Sequence, residues 1–182
     1  MKFEEGSIYF NKIIVLQSLD ANGRKTGTEI YDDIISRRAW ADPNLSTELV
    51  NIDNKKHLFY YLNKLKQDSS SYGILPFIHW EMHGFEDGLV LTSDESIYWE
   101  EILNALRDIN IASKNNLFIS VSTCFGGRIQ FIIDITQPCP FRGFIGPMEV
   151  IGDNDLLNEA YRQHRWPRTA AKIDICSSFS PT

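Results

Sequence analysis

Two side chains in this chain can do chemistry together. Cys124 carries a thiol, whose thiolate form is the nucleophile of cysteine hydrolysis. His83 carries an imidazole, the side chain that takes up and returns a proton near neutral pH. Each follows an apolar run: His83 follows GILPFIHWEM and Cys124 follows NLFISVST. They stand 124 − 83 = 41 residues apart with one helical pattern between them, so the two runs read as neighbouring parallel strands joined by one right-handed crossover. Reactive groups collect at the carboxyl ends of such strands. Gly84 lets the backbone beside the histidine approach a substrate with no Cβ in the way, and Gly126 and Gly127 do the same after the cysteine. The backbone N–H groups of Gly84 and Cys124 can then form an oxyanion hole.

The remaining reactive residues have plainer readings. His79, four residues before His83 on the same strand face, reads as a supporting or core histidine. Cys139, between Pro138 and Pro140, reads as a rigid-loop thiol, and Cys176 in AAKIDIC as a packing residue of a last strand. Cys124, Cys139 and Cys176 are widely spaced, which fits neither a disulfide framework nor a zinc pair, so no metal is expected. Asp87, Asp94 and Glu95 read as a solvated loop and a helix cap rather than an acid pair, and His57 and His164 as solvated helix residues. Neither glycine-rich phosphate motif is present, and no cofactor is expected.

Alternating apolar runs and helical periodicities supply the frame. Residues 7–19 hold the β-branched run Ile13-Ile14-Val15-Leu16 and predict a buried strand, closed by the turn signal Asp20-Ala-Asn-Gly23. Residues 28–40 predict a helix, residues 48–52 a short strand, and Asp53 or Asn54 the cap of a helix that ends in the Ser-rich loop 68–71. The His83 strand spans residues 73–82, with a short extra strand at 88–91. An amphipathic helix follows through Trp99, Ile102, Leu103 and Leu106, then the Cys124 strand at 116–121. Residues 129–135 predict a helix, 141–145 a strand, and 153–164 a final helix. Such alternation predicts a single α/β domain over residues 1–182, a three-layer fold with a mostly parallel central sheet and helices on both faces.

Composition narrows the function classes. The chain has 182 residues, 18 Lys and Arg against 24 Asp and Glu, and a net charge of −6. That balance holds no basic patch beyond Arg37-Arg38 and argues against nucleic acid as a partner. No apolar run reaches the ~18 residues of a membrane span. The leading residues MKFEEG carry carboxylates where a signal peptide needs positive charge, so a cytoplasmic protein with reduced thiols is expected.

The segments PFIHWEMHG and FISVSTCFGG, an apolar strand ending in His-Gly and then one ending in Cys-x-Gly, resemble those of the caspase-like cysteine proteases. The stretches GLVLTSDESIYWEEILNAL and PFRGFIGPMEVI are most similar to the prokaryotic branch, the CHAT-type peptidases. The resemblance covers roughly residues 73–157. It implies a cysteine-type endopeptidase with His83 as base, Cys124 as nucleophile and Gly84 helping to hold the oxyanion, and it requires no third side chain. It also implies a protein or peptide substrate, and a setting in prokaryotic, including antiviral, defence or programmed death. The tentative substrate pocket falls at Ser122 and Phe125. Where metacaspase relatives place an Asp two residues before the cysteine, this chain has Ser122, small and uncharged. A charged P1 residue needs an opposite charge when desolvated, so a small or apolar uncharged P1 residue is expected.

Two further expectations follow. The link TQPCP is short and proline-stiffened, a poor site for an activating cut. Control is therefore expected from an activating partner, a ligand or self-association, which orders a loop at residues 85–88 or 125–127. The rival to a protease is a catalytically inactive caspase-like module that binds peptide or protein partners.

Overall fold

A computed structural model of the chain describes residues 9–150. The run KIIVLQS forms β1 (Lys12–Ser18), apolar and buried on both faces as an interior strand of a parallel sheet must be. It is followed along the chain by β2 (Ser46–Asn51), β3 (Pro76–Phe85), β4 (Gly88–Val90), β5 (Ser96–Tyr98), β6 (Phe118–Ser122) and β7 (Gly143–Ile145). The parallel part runs β2-β1-β3-β6-β7, and β4 and β5 extend β3 as an antiparallel meander.

Helices cover both faces, giving the three layers. α3 (Lys55–Tyr72) and α4 (Trp99–Ala112) lie on one side. There Leu58, Leu62, Leu65, Ile102, Leu106 and Ile109 pack on Ile14, Leu16, Ile78, Trp80, Ile119 and Val121. On the other side Ile30 and Ile35 pack on Ile13 and Val15. They belong to a helical run made of α1 (Thr26–Ile30), a π-helical turn (Tyr31–Ile35) and α2 (Ser36–Ala41).

Three departures from the sequence pattern bear on the site. α3 continues through the serines, because Ser69 is buried in line with Leu58, Leu62 and Leu65; the helix stops only at Gly73, in the left-handed region at φ 67°. The Asn54 side chain caps its start, accepting the His57 N–H at 2.9 Å. β3 does not end before His83. It overshoots its parallel neighbours: its last residue paired with β1 is Met82, opposite Ser18, and its last paired with β6 is Glu81, opposite Ser122. Its next residues need new backbone partners and find them in β4, with His83 opposite Val90 and Gly84 opposite Leu89. The segment after Cys124 is a 3-10 helix (Gly126–Ile132) rather than an α-helix. The helix expected at 153–164 and the strand around Cys176 lie outside the described residues.

Candidate active site

Parallel pairing sets the distance between the two reactive residues. β3 and β6 pair in register from Phe77 opposite Phe118 to Glu81 opposite Ser122. His83 and Cys124 each stand two residues beyond that last pair, so they occupy equivalent positions on adjacent strand tips, and adjacent strands lie about 4.8 Å apart. Gly84 shows how closely the tips meet. A Cβ built there would fall 2.3 Å from the Cys124 carbonyl oxygen and 2.3 Å from Thr123 Oγ1. Only hydrogen fits between the two backbones. Cys124 is half-buried and reduced, while His83 is exposed.

The chain reverses sharply at the cysteine. Phe125 takes the left-handed conformation at φ 59°, and Gly126 N–H donates to the Thr123 carbonyl at 3.1 Å. The segment after β7 holds this turn from outside: Gly127 N–H donates to Pro147 O at 2.7 Å and Phe125 N–H to Glu149 O at 3.2 Å. The Arg128 guanidinium lies over the Phe125 ring at 5.5 Å and pairs with Glu86 at 2.8 Å. That ion pair ties the turn after the cysteine to the hairpin after the histidine. Residues 85–88 close a hairpin and residues 125–127 step into the 3-10 helix.

Beneath the tips lies a buried polar network that the sequence reading did not assemble. His79, Glu81 and His83 alternate on β3 and so share one face. His79 Nε2 lies 2.8 Å from Glu81 Oε1, and its Nδ1 3.2 Å from Ser120 Oγ. Thr26 donates its hydroxyl to Glu81 Oε2 at 2.7 Å from the start of the helical run. A buried carboxylate is costly unless its oxygens are satisfied, and both are. Ser122 belongs to this network: it is buried, with its Oγ 3.5 Å from His79 Nε2. Of the tentative pocket pair, Ser122 thus points into the fold and Phe125 remains half-buried at the turn. His79 is fully buried, as the core alternative of its sequence reading has it. The overlooked signal was Glu81, a charge inside an otherwise apolar strand.

Other candidates resolve into structure. Glu95 accepts the Lys55 N–H at 3.0 Å and the Ser93 hydroxyl at 2.7 Å, bonds that hold its carboxyl below the usual range. It therefore caps the start of α3, not the next helix, and forms no acid pair. Asp94 is a turn residue at φ 62°. Cys139 stands in a disulfide rather than as a thiol. Its loop is fixed to α4 by Arg107 Nε donating to Pro138 O at 2.8 Å and Asn110 donating to Cys139 O at 2.9 Å. Among the described residues no group of three His, Cys, Asp or Glu side chains is placed to hold a metal. Among them, too, no helix is long and apolar enough to cross a membrane.

The register thus places a thiol and an imidazole at equivalent positions on adjacent strand tips, a pairing that acyl transfer can use. In comparisons with known proteins, no family model matches this chain and no curated protein does.

Proposed function

We propose that this chain is a caspase-like cysteine endopeptidase of the CHAT type. The observation that carries the reading is the shared register position of His83 and Cys124, with Gly84 pressed against the Cys124 carbonyl. The Cys124 thiolate attacks a peptide carbonyl, and the oxyanion is met by the N–H groups of Gly84 and Cys124. Protonated His83 gives its proton to the leaving amine. A water that His83 activates then hydrolyses the acyl-enzyme and frees the thiol.

Substrate class and control belong to the same proposal. The partners are a protein or peptide substrate and an activating protein, ligand or second copy of the chain. The setting proposed is cytoplasmic, and a latent effector of defence or programmed death fits an enzyme switched on in trans. The test is proteolysis of candidate protein substrates with and without added activators, using Cys124→Ala as control. Cleavage by the native chain and none by the variant supports the reading. Peptide binding that is equal in both, with no cleavage under any condition, would establish the inactive binding module instead.

A further inference from the structure

A carboxylate stands beside the histidine. Asp20 follows β1, the strand on the other side of β3 from β6. Ser18 pairs with Met82 at the end of the β1–β3 ladder, so the two residues that follow carry Asp20 alongside the His83–Gly84 step. Asp20 Oδ2 lies 3.7 Å from His83 Nε2.

The backbone that carries Asp20 is fixed from several sides. Ser18 donates its hydroxyl to Ile52 O at 2.7 Å and accepts the Thr92 N–H at 3.1 Å, which pins the β1 tip to the end of β2 and to the segment after β4. Lys25 Nζ donates to the Leu19 carbonyl. The turn then closes with Gly23 N–H donating to Asp20 O at 3.0 Å. The carboxylate is thus presented to the imidazole by a held turn.

We propose that Asp20 is a positioning residue that acts on Cys124 through His83, making an Asp20–His83–Cys124 array; this rests on the endopeptidase reading above. At 3.7 Å the contact is longer than a hydrogen bond and is an ion pair when the imidazole is protonated. Asp20 therefore works by charge, turning Nε2 toward itself and so orienting the ring beside Cys124. Two other carboxylates of this stretch are engaged elsewhere: Glu81 with His79 and Thr26, and Glu86 with Arg128. Asp20 and His83 are 71% and 65% exposed, which limits the coupling to the range of surface pairs, up to ~1 kcal/mol. That range corresponds to as much as about a fivefold change in rate.

The experiment is a double-mutant cycle on the alkylation rate of Cys124 by iodoacetamide, read by mass spectrometry of the Cys124 peptide. Asp20→Asn should slow alkylation about two- to fivefold at low salt, and Asp20→Glu should restore most of the loss. The gap between native chain and Asp20→Asn should close at 1 M salt, where screening acts within about 3 Å; a purely structural role would leave it open. In a His83→Ala background Asp20→Asn should add nothing. An equal effect of Asp20→Asn with and without His83, or no effect at low salt, would overturn the proposal while leaving the endopeptidase reading intact. A His83→Ala variant that alkylates at the native rate would overturn both.

Discussion

Replacing Gly84 with alanine tests whether the meeting of the two strand tips matters for reactivity. The new methyl group would lie 2.3 Å from a backbone oxygen, against an ordinary contact of at least 3.4 Å, so the Cys124 turn must retreat by about 1 Å. Overpacking of this kind costs roughly 1–3 kcal/mol, and a displacement near 1 Å at reacting groups can cost on the order of a hundredfold in rate. Gly73→Ala is the matched control. Gly73 sits at φ 67° with nothing within 4 Å of a built Cβ, so alanine there meets no neighbour and incurs only left-handed strain, about 1–2 kcal/mol. Urea unfolding should therefore show comparable losses for the two variants, while Cys124 alkylation and peptide cleavage should collapse only in Gly84→Ala. Native reactivity in Gly84→Ala, or an equal loss of reactivity in Gly73→Ala, would refute the argument that contact between the tips sets the chemistry.

Three other expectations follow from the same geometry. His79→Ala leaves the buried Glu81 Oε1 unpartnered, with only Thr26 still on Oε2, and should lower unfolding free energy by about 3 kcal/mol in urea titrations. Glu48 is subject to burial, which raises its pKa, but Lys12 at 2.6 Å and the Tyr61 hydroxyl at 2.9 Å outweigh that and hold its carboxyl below the usual range. A depressed carboxylate contributes stability above its unfolded pKa and loses it as pH falls through the folded value. Urea midpoints from pH 6 down to pH 3 should therefore fall more steeply for the native chain than for Glu48→Gln. Finally, peptide libraries should show preference for small or apolar uncharged P1 residues, since Ser122 is uncharged and turned into the fold and offers a charged side chain no partner; strict cleavage after Arg, Lys or Asp would count against this.

The pattern of elements was legible because periodicity reports burial. Ile13 to Leu16 read as a buried strand and form one, and the stripe of Leu58, Leu62 and Leu65 read as a helix face and is one. The boundaries that failed were set by tertiary partners. Nothing local tells that β3 carries on through His83 and Gly84, because the continuation depends on β4 supplying backbone partners. β5 was missed for the same reason, being three residues held by pairing to β4. The order of His83 and Cys124 along the chain was enough to suggest a dyad. Asp20, by contrast, read as a turn residue, because its place beside His83 arises from β1 lying next to β3, a fact of register that no spacing in the chain records. The same holds for Thr26 and Glu81, 55 residues apart in sequence and hydrogen-bonded in the fold.

The central claim is that His83 and Cys124 act as base and nucleophile, and the most direct test is thiol reactivity with and without the imidazole. Iodoacetamide at neutral pH, followed by mass spectrometry, reads this without knowledge of substrate or activator. Proton transfer by a placed base contributes on the order of a hundredfold or more, and some of that advantage survives in thiolate formation. The account predicts rapid labelling of Cys124 in the native chain and at least a tenfold slower reaction in His83→Ala, with both proteins equally folded by circular dichroism. Equal rates in the two proteins, or a native Cys124 no more reactive than a cysteine in the urea-unfolded chain, would contradict it.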